Sequence, residues 1–290
     1  MPRLRVATLG VALALSAVAL APCHDAIAAG TTAQLIAGPW QPLHAGSRVR
    51  LLGVAGKASG EVNGGVEIEL AEGWKTYWRM PGDAGVPPNF EWQGSANMAS
   101  VRVQYPAPQR LPEPAAETIG YKHRVVFPLI AKAATPGQPI MLKLEAEFGI
   151  CKDICVPAQA NLSLELPAAA STAALPEPIA TAVRQVPVPA PAGAKDRPTV
   201  VSTTAQLEGA EPQLVVEARF PGPVEAADLF VEAPDSIYVP MSKRTGEKPG
   251  GGVVFTIALP AATAKELKGK ALTLTLVGGT AASEARWQLP

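Results

Sequence analysis

The stretch IMLKLEAEFGICKDICVPAQANLSLEL, residues 140–166, carries the pattern that decides the fold. Apolar residues occupy every second position from Ile140 to Phe148 and again in Asn161 to Leu166, which is the period of half-buried β-strands. Between these two runs, Cys151 and Cys155 are separated by three residues. The sequence therefore predicts that the cysteine pair lies on a connection between two strands.

Similar short runs precede this stretch and are separated by turns rich in Gly, Pro and Asn. The earlier runs are Arg48–Val54, Gly65–Leu70, Met98–Tyr105 and Arg124–Ala131. Six or seven strands at this spacing predict an antiparallel β-sandwich of immunoglobulin-like type.

A second group of strand-like runs follows a segment that is rich in Pro and Ala. These runs are Gln213–Phe220, Asp228–Val231, Gly252–Leu259, Ala271–Val277 and Glu284–Leu289. We predict an all-β chain with an immunoglobulin-like sandwich over residues 30–167 and a second, smaller β-sandwich-like domain over residues 199–290. Residues 168–198 are predicted to be a linker with a short helix between Pro178 and Val186.

The first 29 residues have the composition of a secretory signal peptide. Two arginines precede a small and apolar run from Val6 to Ala21, and Ala26-Ile27-Ala28 offers the pattern at which such signals are cleaved. We expect cleavage near Ala28 or Ala29 and a location in the periplasm, which is an oxidising compartment. No stretch reaches the roughly 20 apolar residues of a membrane span, so none is expected in the mature chain.

Charge and the census of reactive side chains disfavour several function classes. Lys plus Arg equals Asp plus Glu at 25 each, so no positive surplus can neutralise a phosphate backbone, and nucleic acid is not an expected partner. After signal cleavage the chain would keep Cys151, Cys155, His44 and His123. This set is too small for a structural zinc site or a His-dependent triad, so zinc modules and hydrolases are disfavoured.

The cysteine pair has three candidate roles. As a structural crosslink it would close a very short loop and contribute about 2 kcal/mol by chain entropy, which is little for a domain of this size. As a soft-metal site the thiolates would bind Cu(I), with Met80, Met98 or Met141 as further ligands, although the sequence does not group these methionines. As a redox pair, a tight loop on an exposed connection lets an incoming thiolate reach one sulfur. The residues favour the redox role.

Four motifs that occur in order along the chain carry a family resemblance. They are GWKTYWR at 73–79, PGDAG at 81–85, IGY at 119–121 and CKDICVP at 151–157. Over about Leu35 to Leu166 the chain resembles the N-terminal periplasmic domain of the DsbD-type protein-disulfide reductases, and among them the ScsB-like branch linked to copper tolerance. The second β domain resembles the continuation seen in ScsB-like N-terminal regions.

The resemblance implies an immunoglobulin-like domain that takes electrons from a membrane-embedded DsbD- or CcdA-like donor and passes them to periplasmic thioredoxin-like proteins. Cys151 and Cys155 match the reactive pair of the family, so a redox-active disulfide is expected between them, with no other cofactor and no metal. In the family a loop shields this pair. Ile119 and Tyr121 fall in the corresponding place, and Tyr77 matches a ring near the site.

Two differences from DsbD itself bear on function. DsbD has a longer spacer between its cysteines, so the Cys-x3-Cys spacing follows the ScsB-like pattern. The chain ends at Pro290 before any transmembrane or thioredoxin domain, so a separate membrane protein would have to reduce it. We predict a thiol–disulfide exchange protein of the protein-disulfide reductase type. The alternatives are a copper-binding, copper-tolerance protein and a non-catalytic binding module with a local structural disulfide.

Overall fold

The computed structural model describes Met1 and residues 32–54, 60–112, 116–167, 173–191, 193–279 and 281–290. Apart from Met1, the predicted signal peptide lies outside these residues. In the described part of the chain, no helix is long and apolar enough to cross a membrane.

Strands dominate the described residues, and the two α-helices are short. The strands of the first domain are β1 (Leu35–Ala37), β2 (Gln41–Pro42), β3 (Arg48–Val54), β4 (Glu61–Glu69), β5 (Lys75–Gly82), β6 (Asn89–Glu91), β7 (Met98–Val103), β8 (Gln109–Pro112), β9 (Glu117–Lys122), β10 (Arg124–Ala133), β11 (Ile140–Cys151) and β12 (Cys155–Leu166). They are followed by α1 (Ile179–Arg184), β13 (Val188–Pro189), β14 (Thr199–Gln206), β15 (Gln213–Arg219), β16 (Asp228–Glu232), β17 (Lys243–Lys248), β18 (Gly252–Ala258), α2 (Ala261–Leu267), β19 (Ala271–Gly278) and β20 (Ala281–Gln288).

The first domain is a sandwich of two antiparallel sheets. One sheet has the order β1-β3-β4-β10-β7 with β2 beside β3, and the other has the order β12-β11-β5-β9-β8 with β6 beside β11. Val66 and Phe127 from one sheet and Trp78, Leu144 and Phe148 from the other belong to one buried cluster between them. This arrangement confirms the predicted immunoglobulin-like sandwich.

The structure contains strands that the sequence pattern did not predict, among them β5 and β9 at the centre of the second sheet. The first four residues of β5, Lys75 to Trp78, are all buried. A strand that is covered on both faces shows no alternation of polar and apolar residues, so periodicity cannot detect it.

The second domain is a smaller sandwich, as predicted. Its sheets have the orders β13-β20-β19-β16 and β14-β15-β18-β17. Leu214, Val216 and Phe255 from one sheet and Leu274 and Leu276 from the other form its buried core. The alternation of buried and half-buried residues along β15 shows how the sequence period places one face inward.

The short helix expected between Pro178 and Val186 is α1. Ile179 and Ala182 are buried and form a small cluster with residues of β3 and β10, including Leu52 and Val126. The helix therefore packs on the first domain.

Ion pairs connect the two sandwiches, which lie in one compact unit. Arg79 on β5 donates two hydrogen bonds of 2.8 Å to Glu232 and one of 2.5 Å to Glu284, both in the second domain. Burial alone would lower the pKa of Arg79, but the bonds and charges of these carboxylates raise it above its ordinary value. Arg110 on β8 likewise binds Asp228. These ion pairs thus connect the second domain to the sheet that carries the cysteines.

Candidate functional site

Cys151 and Cys155 close the tip of a hairpin. Cys151 is the last residue of β11 and Cys155 is the first of β12, and the two are register partners with their Cα atoms 4.2 Å apart. A disulfide joins them. Both strands continue further than the sequence pattern predicts, because Gly149, Ile150 and Val156 stay in the ladder. The connection between the strands is therefore only the three-residue loop 152–154.

The two cysteines differ in exposure because their strands differ in position. The Cys151 residue is 1% exposed, and it lies on β11, which is paired with β12 on one side and with β5 on the other. Cys155 is exposed, and it lies on β12 at the edge of the sheet. A thiolate that arrives from solvent therefore meets the Sγ of Cys155 first.

Tyr77 lies directly at the disulfide. Its hydroxyl donates a hydrogen bond of 2.8 Å to the Sγ of Cys151 and lies 3.2 Å from the Sγ of Cys155. The Tyr77 residue is 1% exposed. A tyrosine hydroxyl in this place can stabilise negative charge on sulfur when the disulfide opens.

Two glycines let the backbone approach the ring of Tyr77 closely. A Cβ on Gly85 would lie 2.7 Å from Cδ1 of the ring, and a Cβ on Gly149 would lie 3.0 Å from Cε2. Both residues therefore allow a close approach that a side chain would obstruct. Gly149 also donates a backbone hydrogen bond of 3.4 Å to Val86, so the loop after β5 lies against β11.

Lys75 is a site neighbour that the sequence did not single out. It is buried, and it is the register partner of Cys151 across the β5–β11 ladder. Register partners in an antiparallel pair have their side chains on the same face of the sheet. Lys75 and Cys151 therefore lie on the same face of the sheet.

Ile119 and Tyr121 lie on β9 and belong to the core between the two sheets. The Tyr121 hydroxyl donates a hydrogen bond of 2.8 Å to the carbonyl of Pro106, and burial raises the pKa of Tyr121 well above its ordinary value. Tyr77 pairs with Gly120, so Ile119 and Tyr121 point to the opposite face of the sheet from Tyr77. The expected loop is thus a strand, and the shielding role of the two residues stays a prediction.

The chain contains three methionines that the sequence offers as candidate Cu(I) ligands. Met80 and Met98 pack against the core of the first domain, and Met141 lies half-buried on β11. Within the ranges that the structure describes, no three His, Cys, Asp or Glu side chains are grouped so as to hold a metal ion.

Replacing both cysteines by serine should leave the protein folded. The ladder between β11 and β12 runs from Ile140 and Leu166 to the cysteines, so the hairpin is formed without the crosslink. For a loop this short we expect the free energy of unfolding to fall by about 2 kcal/mol. Urea unfolding of Cys151→Ser with Cys155→Ser measures this difference. Loss of the cooperative transition would instead show that the disulfide is a structural crosslink.

Comparisons with known proteins agree with this site. A family model described as the N-terminal domain of the thiol:disulfide interchange protein DsbD matches residues 50–167. A second model, for a domain of unknown function, matches residues 185–290. A search of curated proteins returned no match.

Among solved structures, the chain is similar to the N-terminal periplasmic domain of ScsB from Proteus mirabilis. The TM-score is 0.66 at 20% sequence identity, over 87% of this chain and 98% of that chain, so the likeness extends over both sandwiches and shows the fold. The family match covers the segment that holds Tyr77, Cys151 and Cys155. Residues 50–167 therefore match the DsbD N-terminal family, and this match supports a thiol–disulfide exchange domain.

Proposed function

We propose that the protein is a periplasmic thiol–disulfide relay, which passes reducing equivalents from a membrane electron donor to thioredoxin-like proteins through Cys151 and Cys155. The observation that carries this proposal is the disulfide itself, with one exposed cysteine, one buried cysteine and the Tyr77 hydroxyl close to both sulfurs. A purely structural disulfide has no need of this asymmetry.

Reduction of the pair proceeds in two exchange steps. A thiolate of the donor attacks the exposed Sγ of Cys155, the bond between the two sulfurs breaks, and Cys151 leaves as a thiolate. The hydroxyl of Tyr77 donates to this thiolate. The second thiolate of the donor then attacks the donor sulfur that is bonded to Cys155. The donor disulfide forms, and Cys155 is released as a thiolate. The pair gains two electrons and two protons, and the donor becomes a disulfide.

The outward transfer reverses these roles. The thiolate of Cys155 attacks the disulfide of an oxidised thioredoxin-like protein and forms a mixed disulfide with it. Cys151, held beside Cys155 at the tip of the hairpin, then attacks the Sγ of Cys155. The disulfide of the relay forms again, and the partner leaves as a dithiol. Cys155 is thus the attacking residue and Cys151 the resolving one.

The proposal is tested with the oxidised protein and a reduced thioredoxin as probe. We expect thiols to appear on Cys151 and Cys155 as the thioredoxin is oxidised, with a mixed disulfide at Cys155 on the way. Titration of the pair against glutathione buffers then gives the equilibrium position. If dithiothreitol reduces the pair but reduced thioredoxin does not exchange with it, the relay proposal fails and the disulfide is structural.

Ile154 should contribute to recognition of the protein partner. It lies between the two cysteines in the hairpin loop and is 67% exposed, which leaves an apolar side chain beside the sulfur that is attacked. Because removal of such an apolar contact from an interface costs about 1 to 2 kcal/mol, Ile154→Ala should slow exchange with thioredoxin about tenfold. Its rate with dithiothreitol should not change.

The control for this variant is Val201→Ala. Val201 is also an exposed apolar residue, but it lies on β14 in the second domain. Equal exchange rates for the two variants would contradict a docking role for Ile154.

A further inference from the structure

A tyrosine of the second β domain binds a loop that lies beside Tyr77. Tyr238 lies between β16 and β17 of that domain, and its hydroxyl donates a hydrogen bond to Oδ1 of Asp83. Asp83 belongs to the loop that follows β5 in the first domain. Its backbone N–H donates a bond of 3.0 Å to the carbonyl of Glu117, and its Oδ2 accepts one of 3.3 Å from the N–H of Glu117.

The Asp83–Val86 loop is therefore held at both ends. At Asp83 it is bound by Tyr238 and by β9, and at Val86 its carbonyl accepts the hydrogen bond of Gly149. Between these ends, Gly85 lies against the ring of Tyr77 at the close approach described above. A shift of this loop would free one edge of the ring whose hydroxyl contacts the sulfurs.

We propose that Tyr238 is a positioning residue for the disulfide: by binding Asp83 it holds the Asp83–Val86 loop against Tyr77, and thereby keeps the Tyr77 hydroxyl on the sulfurs. This gives the second β domain a part in thiol exchange. The inference rests on the proposed function, because positioning matters only if the disulfide reacts.

The hydrogen bond persists in the pH range in which thiols exchange. Burial, followed by the hydrogen bond to Asp83 and the charge of its carboxylate, raises the pKa of Tyr238 to about 12. The hydroxyl therefore remains a donor at neutral pH.

The test is the rate at which dithiothreitol reduces the disulfide of Tyr238→Phe, which lacks only the hydroxyl. Since the hydroxyl of Tyr77 assists the departure of Cys151, its displacement should slow reduction, and we expect a rate about three- to tenfold lower than that of the wild type. In a Tyr77→Phe background, Tyr238→Phe should have no further effect, because the group that it positions is absent. Asp83→Ala should reproduce the result of Tyr238→Phe.

Lys270→Met is the matched control. Lys270 forms an ion pair with Asp235, which lies in the same segment as Tyr238. This variant should reduce at the wild-type rate. Circular dichroism and urea unfolding verify that each variant is folded.

Three results would overturn the proposal. The first two are an unchanged and a faster rate of reduction in Tyr238→Phe. The third is that Tyr238→Phe slows reduction as much in the Tyr77→Phe background as in the wild type. An equal slowing would show a general structural effect, and a faster rate would show shielding instead of positioning. Because the probe is dithiothreitol, these results are independent of exchange with thioredoxin, so failure of the relay proposal is seen separately.

Discussion

The single variants Cys151→Ser and Cys155→Ser are expected to differ about a hundredfold in the reactivity of the thiol that remains. In Cys151→Ser the remaining thiol is that of Cys155, which is exposed on the edge strand β12. In Cys155→Ser it is that of Cys151, which is buried and lies next to the hydroxyl of Tyr77. Access to the sulfur limits the rate of exchange, so Cys151→Ser should react faster.

Oxidised glutathione is the reagent, and mass spectrometry follows the adduct at fixed pH. In a denaturant that unfolds both variants, the two thiols should react at similar rates, which controls for their sequence neighbours. Similar rates in the folded proteins would contradict Cys155 as the attacking residue and would remove the asymmetry on which the proposed mechanism depends.

Tyr77→Phe should slow the reduction of the disulfide by dithiothreitol about 10- to 100-fold. The hydroxyl donates to Cys151 at 2.8 Å, and a hydrogen bond to a charged group contributes about 1.5 to 3 kcal/mol. Each 1.36 kcal/mol of barrier is about tenfold in rate, so loss of this donor when Cys151 departs as a thiolate has the stated effect. The phenyl ring keeps its contacts with Gly85 and Gly149.

Tyr105→Phe is the control for this variant. Tyr105 is half-buried in the same domain, and its ring packs against Phe127 in the core. It should be reduced at the wild-type rate. A faster or unchanged rate for Tyr77→Phe would show that the Tyr77 hydroxyl does not assist the departure of Cys151.

The sequence was sufficient to predict several strands of the first domain. β3 begins and ends at Arg48 and Val54 as expected, and the alternation along residues 140–166 predicts the strands of the hairpin. One face of β12 is buried and the other is exposed, so the period of two is visible in its residues. The spacing of the cysteines likewise shows that a disulfide closing a short loop is feasible.

β5 shows what local pattern does not contain. Its first four residues are buried on both faces, so it has no alternation, and its pairing with β11 and β9 could not be predicted from periodicity. The motif GWKTYWR indicated a ring near the site only through the family resemblance. That the hydroxyl of Tyr77 meets both sulfurs follows from the pairing of β5 with β11.

The sequence by itself determined that the chain is all-β, that it has two sandwich domains and that a Cys-x3-Cys pair lies where one strand turns into the next, because strand periodicity and cysteine spacing are local properties. Tertiary structure alone decided that Cys151 is buried and Cys155 exposed, since this depends on which strand lies at the sheet edge. It also decided that Tyr238 meets Asp83. These contacts join residues that are distant in sequence, and such pairings follow from how the sheets and domains pack.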